Sequence, residues 1–263
     1  MNETLRIIDR RMSLRRYQNR DITPQDRGRI LKSALRAPTA GNMMLYSIIE
    51  VADPASKARL AETCRHPFIE ESPFVLLFLA DLQRWFDYFE AHDVSGYCER
   101  EKLPFRTPGA SDLLMSCCDA LIAAQNSVIA AESLGVGSCY VGDIMGHAEV
   151  HQELFALPPW VFPITLLCYG YYPDDLTRRR TTRFEERFIC FRDRYKRLTA
   201  QESEEMLAGV EAQFADALEK RGLSLAEMTY RSYTASAPRL EEARSVRQYL
   251  RAWQGTREGS SAD

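Results

Sequence analysis

One stretch constrains this chain more than any other. From Ser111 to Leu134 the sequence reads as a single helix of some 24 residues, about 36 Å long at 1.5 Å per residue. It is apolar around much of its circumference and rich in small residues: Ala120, Ala123, Ala124, Ala130 and Ala131. Such a helix has little surface to give to water, so it is buried inside a domain or between two subunits. No stretch approaches the roughly 18 apolar residues of a membrane span, so no span is expected.

The flanking sequence supplies what the helix packs on. Pro73–Ala80 is short and continuously apolar, as a strand buried on both faces would be. Ser47–Val51, Ser138–Gly142 and Pro163–Tyr169 read as further strands. Thr23-Pro24-Gln25-Asp26 combines an N-cap, an N1 proline and a first-turn acid, and opens a helix to about Ala37. Pro54–Thr63 and Gly146–Phe155 read as helices, and residues 82–110 as an aromatic, turn-rich segment. Beyond Tyr195 the strands stop, and Thr199–Arg221, the stretch around Leu225, and Leu240–Trp253 are amphipathic. Strands interleaved with helices and followed by a helical tail mean α/β or α+β with a C-terminal extension.

Charge and cysteine usage narrow the function. The chain of 263 residues carries a net charge of −3, which does not suit a bulk binder of nucleic acid. The N-terminus lacks the apolar core and cleavage site of a secretory signal, so a cytoplasmic protein is expected. Its seven cysteines include no Cys-x-x-Cys pair, and they read as small buried hydrophobes in a reducing compartment. His147 and His151 have helical spacing but not the His-Glu-x-x-His pattern. They read as a surface pair, and no metal site is expected.

Four clusters carry chemistry. Arg10-Arg11-Met12-Ser13-Leu14-Arg15-Arg16-Tyr17 gathers guanidiniums around a hydroxyl, which suits a phosphate or another delocalised anion, although taken alone such a charge run is more often a solvated basic turn. Ala37-Pro38-Thr39-Ala40-Gly41-Asn42 ends a helix in a loop able to offer backbone N–H groups and an amide to a planar ligand. Ser133 to Asp143 joins the long helix to a strand through Gly135, Gly137 and Gly142, without dinucleotide-fingerprint spacing. Gly170-Tyr171-Tyr172-Pro173 leaves a buried strand and leads into Arg178-Arg179-Arg180-Thr181-Thr182-Arg183.

In this order and spacing the four clusters resemble the FMN-dependent nitroreductase and flavin reductase family over about residues 5–190. The resemblance implies an α+β, three-layer fold with a central, mostly antiparallel sheet flanked by helices and a helical C-terminal extension. It implies an FMN-binding domain over 1–195, an extension over 196–254 that wraps a dimer partner, and a disordered tail over 255–263. Arg11, Met12 and Ser13 would hold the FMN phosphate and ribityl end. Arg15 would sit at the N1 edge of the ring, where a cation stabilises the reduced form. Pro38, Thr39, Ala40 and Asn42 would line the pyrimidine side, while Tyr140, Val141, Gly142 and Asp143 would bring backbone up to N5. Arg180 and Arg183 would complete the phosphate site, with the register in 178–183 left open. Trp85, Phe86 and Tyr88 would form a lid that stacks on nicotinamide or an aromatic acceptor, or else pack at the dimer interface.

The activity implied is ping-pong transfer of hydride from NADH or NADPH, through FMN, to an electron-poor acceptor: a nitroaromatic, quinone, flavin or activated alkene. The protein would be a homodimer with FMN at the subunit interface, and no nucleic acid or membrane partner is expected. Two alternatives stand beside it. One is a specialised branch, such as a reductive dehalogenase or a flavin-consuming enzyme. The other is a non-catalytic flavin-binding or regulatory protein.

Overall fold

The computed structural model describes residues 2–178 and 181–254. The chain divides into two compact units. One holds the residues up to Thr177 together with those from Glu241 onward, and the other holds Arg178–Leu240.

In the first unit the elements run α1 (Glu3–Arg10), α2 (Pro24–Ala34), β1 (Tyr46–Glu50), α3 (Pro54–Thr63), α4 (Phe68–Glu71) and β2 (Phe74–Asp81). They continue with α5 (Gln83–Ala91), α6 (Val94–Glu101), α7 (Ala110–Ser133), β3 (Val136–Val141), α8 (Ala148–Phe155) and β4 (Val161–Tyr171). The four strands form one antiparallel sheet in the order β1-β2-β4-β3. Every residue of β2 is buried, as its unbroken apolar run requires. Pro163 is tolerated in an inner strand because the register shifts there: Phe78 pairs with Thr165, and Leu79 with Pro163.

Two cores flank the sheet. On one face α2 and α7 pack over Phe74, Leu76, Phe78, Leu167 and Tyr169. On the other, Leu60, Cys64, Phe68 and Ile69 cover Val75, Leu77, Cys139, Val141 and Cys168. The aromatic segment differs from the sequence expectation, because α5 and α6 take up much of it and leave 82, 92–93 and 102–109 outside helix.

α7 turns its small residues Ala120, Ala123, Ala124 and Ala131 inward, together with the polar Ser116, Asp119 and Ser127. Its opposite side exposes Leu114 (68%), Met115, Leu121 and Ile122. Among the described residues it is the one helix long and apolar enough, by length and composition alone, to cross a membrane. This corrects the expectation that no stretch approaches that mark. Alanine and cysteine lift its hydropathy although large apolar side chains do not run unbroken.

The division into units differs from the boundary expected at residue 195. α11 (Ala237–Gln254) returns to the first unit from Glu241. There Tyr249 and Trp253, both fully buried, pack with Leu45, Leu82, Ala148 and Phe162. Large aromatics at helical spacing gave α11 a face to bury, and its own chain covers it. The second unit contains α9 (Ala200–Arg221) and α10 (Leu225–Tyr233). Both open on capping boxes, Thr199 with Glu202 and Ser224 with Glu227, and Gly222 ends α9 at φ +60°. The tail expected over 255–263 lies outside the described residues.

Four cysteines (64, 98, 139 and 168) are buried as expected, but Cys118 and Cys190 are exposed. His151 is also not at the surface. Its Nδ1 lies 2.8 Å from the Ile144 carbonyl and its Nε2 2.9 Å from the Thr63 hydroxyl, in full burial.

Candidate active site

The first cluster runs along the free edge of β3. Ser13 forms a parallel bridge with Ser138, and the Leu14 N–H donates to the Ser138 carbonyl at 2.9 Å. Gly137 allows this approach, since a Cβ there would stand 2.6 Å from a Leu14 methyl and 2.7 Å from the Tyr172 ring. Leu14 points into the protein, so Arg11, Ser13 and Arg15 share the other side of the extended segment.

All three act on one sulfur. Burial pushes the Cys139 thiol up, while the nearby Arg15 and Arg11 guanidiniums and the Ser13 hydroxyl oppose that shift. Arg11 also opposes the burial that pushes the Tyr140 hydroxyl up to about 12. Cys139 and Tyr140 point to opposite faces of the sheet, so Arg11 lies along its edge. Its Nη1 is closed off from solvent and finds no acceptor among the described residues, and the same holds for the Ser138 hydroxyl. A buried guanidinium nitrogen without an acceptor is costly, and an anionic oxygen satisfies it. Met12 is half-buried on the same segment, whereas Arg16 turns away to pair with Asp175 at 2.9 Å.

The second cluster is a clamped loop. Ala40–Asn42 makes one turn of 3-10 helix, with Gly41 and Asn42 both at φ +56°. The Thr39 hydroxyl accepts from the Met44 N–H at 3.3 Å. From α7, Asp119 accepts from the Ala40 N–H at 3.0 Å and the Leu45 N–H at 3.2 Å. From α5, Arg84 donates to the Met44 and Tyr46 carbonyls at 2.9 and 2.6 Å, and Trp85 Nε1 donates to the Met43 carbonyl at 2.8 Å. The conformation that exposes Gly41 and Asn42 is therefore held by three side chains from two helices. Pro38 closes the preceding turn, outside α2.

At the far end of β3, Val141 is buried and Gly142 begins a short 3-10 turn over Asp143–Met145. A Cβ on Gly142 would meet only the Met145 methyl, at 3.8 Å, so this backbone is open to approach. The Asp143 carboxylate lies 3.1 Å from His66 Nε2 and 3.8 Å from Arg65.

The aromatic trio separates. Trp85 and Tyr88, edge to face at 6.1 Å, line a cavity of about 490 Å³ with Met43, Met44 and Arg84. Phe86 is instead buried against Trp160 at 4.5 Å and Phe105 at 5.9 Å, which removes it from any exposed stacking surface. Arg183 belongs to the second unit, where it donates to the Thr181 hydroxyl and the Thr182 carbonyl. Arg180 lies outside the described residues.

Sequence reading missed Asp119, Arg84 and His66. Asp119 had a signal, as a carboxylate set among alanines on the buried face of a helix. Arg84 and His66 looked like ordinary surface residues.

Comparison with known proteins identifies the family. The sequence profile of the nitroreductase family matches residues 8–171. An FMN reductase (NADPH) of Bacillus subtilis is 31% identical over 181 residues, 68% of this chain and 70% of its own length. A second B. subtilis protein, an FMN reductase [NAD(P)H], is 31% identical over 176 residues, 66% of this chain and 68% of its own. The structure of an NADPH:FMN oxidoreductase from Vibrio harveyi, complexed with NAD+, superposes with a TM-score of 0.75 at 21% identity, covering 95% of this chain and 98% of that one. With the profile covering the sheet, the edge arginines, the clamped loop and the β3 turn, the chain belongs to the nitroreductase family.

Proposed function

We propose that this chain is an FMN-dependent NAD(P)H oxidoreductase that passes hydride in a ping-pong cycle to an electron-poor acceptor, a nitroaromatic, quinone, flavin or activated alkene. The observation that carries this reading is the buried Arg11 nitrogen without an acceptor, set beside Ser13 and Arg15 on the β3 edge. Arg11, Met12 and Ser13 would hold the phosphate end of FMN, and Arg15 would face the N1 edge of the ring. The loop clamped by Asp119 would present Thr39, Ala40 and Asn42 to the pyrimidine, and the open backbone from Tyr140 through Asp143 would flank N5. When bound, FMN supplies the two-electron chemistry, taking up hydride from NAD(P)H and passing it on. The protein's part is to bind, to orient and to supply a fixed field.

The exposed apolar side of α7 supports a homodimer, because Leu114, Met115, Leu121 and Ile122 form a contiguous strip on one helix. Trp85 and Tyr88 support an acceptor subsite that takes planar molecules. A reducing, cytoplasmic setting accords with all seven cysteines being free thiols.

An anaerobic spectrum tests the reading. The purified protein should be yellow, or become so with FMN, and should bleach on addition of NADPH or NADH. A colourless protein that fails to take up FMN would refute it.

A further inference from the structure

Reduction of a conjugated carbonyl needs a proton as well as a hydride, and the turn after β3 holds a group able to give one. We infer that His66 is the proton donor for the acceptor half-reaction and that Asp143 is its positioning residue. This rests on the oxidoreductase reading above.

Three observations place the pair. Asp143 directly follows Gly142, whose Cα side is open, and it lies two residues beyond Val141, the last residue of the strand whose edge meets the arginine segment. The carboxylate therefore sits past the end of β3, beyond Cys139 and the arginines beside it. His66 reaches it from the connection after α3, with Nε2 on the carboxylate at 3.1 Å, and the ring is braced by Phe68 at a centroid distance of 5.2 Å. The imidazole is 37% exposed, so it exchanges protons with solvent, whereas the carboxylate is only 19% exposed. Arg65 is a further charged group at the pair, 3.8 Å from the carboxylate.

The Nε2–H bond to Asp143 fixes the neutral ring's tautomer and leaves Nδ1, which makes no hydrogen bond among the described residues, as the nitrogen that takes up a proton and gives it to an acceptor. In a quinone or enone, hydride forms a new bond at one end of the conjugated system, and the displaced electron pair moves onto the carbonyl oxygen. The Nδ1–H bond of imidazolium then breaks, an O–H bond forms, and the neutral ring recovers its proton from solvent. Asp143 stays anionic throughout. Hydride comes from the reduced cofactor and the proton from His66, so atoms and charge balance.

The test compares acceptors on the FMN-loaded enzyme by stopped flow, with His66→Gln and Asp143→Asn. A naphthoquinone needs the proton, whereas ferricyanide takes electrons one at a time and needs none. His66→Gln should slow reoxidation by the quinone about 10²-fold, within the usual range for a general acid, and leave ferricyanide reoxidation and the FMN dissociation constant within twofold. Asp143→Asn should slow the quinone step about tenfold, and, read at a pH where the ring is neutral, the 15N shifts of His66 should move from the Nε2–H tautomer to a mixture. A quinone rate unchanged in His66→Gln, equal losses with both acceptors, or an unaltered tautomer in Asp143→Asn would each overturn the inference. Wild-type enzyme that NAD(P)H does not bleach would overturn the oxidoreductase reading itself, and this proposal with it.

Discussion

Asp119→Asn isolates how the long helix holds the loop from Ala40 to Leu45. The carboxylate is 3% exposed and accepts two backbone N–H groups, from Ala40 at 3.0 Å and Leu45 at 3.2 Å. Asparagine keeps one acceptor oxygen and turns an NH₂ group toward the other N–H, donor against donor. A hydrogen bond to a charged group contributes about 1.5–3 kcal/mol, and a buried donor left without a partner costs about 1–3 kcal/mol. Relief of the buried charge offsets part of this. A net loss of about 2–4 kcal/mol follows, and at roughly 2–4 °C per kcal/mol for a chain of this size Tm should fall by about 4–16 °C. Thermal unfolding reads the size of the loss, and amide hydrogen exchange reads its place. Protection at Ala40 and Leu45 should fall in the variant while β2 amides stay protected. A variant that melts within 2 °C of wild type, with both amides still protected, would refute the clamp.

Three further outcomes follow from the same contacts. Arg11→Ala should raise the FMN dissociation constant by one to two decades, from about 1.5–3 kcal/mol for a lost charge-assisted bond, while riboflavin binding changes little; equal losses for the two ligands in a fluorescence titration would place Arg11 away from the phosphate. Trp253→Ala should cost about 3–5 kcal/mol in denaturant unfolding, because the ring is fully buried in the first unit; a loss under 1 kcal/mol would mean α11 does not pack on its own chain. Burial lowers the His151 pKa from 6.5 to about 4, so between those values the unfolded chain binds the extra proton and stability rises with pH. The contribution, about 3 kcal/mol, is present above pH 6.5 and is lost as pH falls toward 4; in His151→Gln the unfolding free energy should vary less over that window, and an unchanged slope would contradict the assignment.

Much of the fold was legible locally. The all-apolar run of β2, the proline and N-cap ahead of α2, and the small-residue pattern of α7 each state a conformation through neighbours in sequence, and each element formed as read. So did the order of the four clusters, which carried the family. The aromatic segment after β2 was less readable, because Trp85, Phe86, Tyr88 and Phe89 suit a helix, a lid or a core equally until their partners are known. Trp160 and Phe105, far apart in sequence, decided that Phe86 is core while Trp85 reaches the Met43 carbonyl.

The chain alone determined which segments are apolar, which turns need glycine and where the guanidiniums gather, since backbone preference and side-chain polarity act over a few residues. Only tertiary structure decided what those groups meet. Asp119 is separated from Ala40 by 79 residues, His66 from Asp143 by 77, and His147 from Glu241 by 94, and no local pattern encodes such pairings. A buried polar side chain must find its partner across the fold or remain unsatisfied, so the site's supports were settled by packing of the sheet against α7 and α3 rather than by any motif.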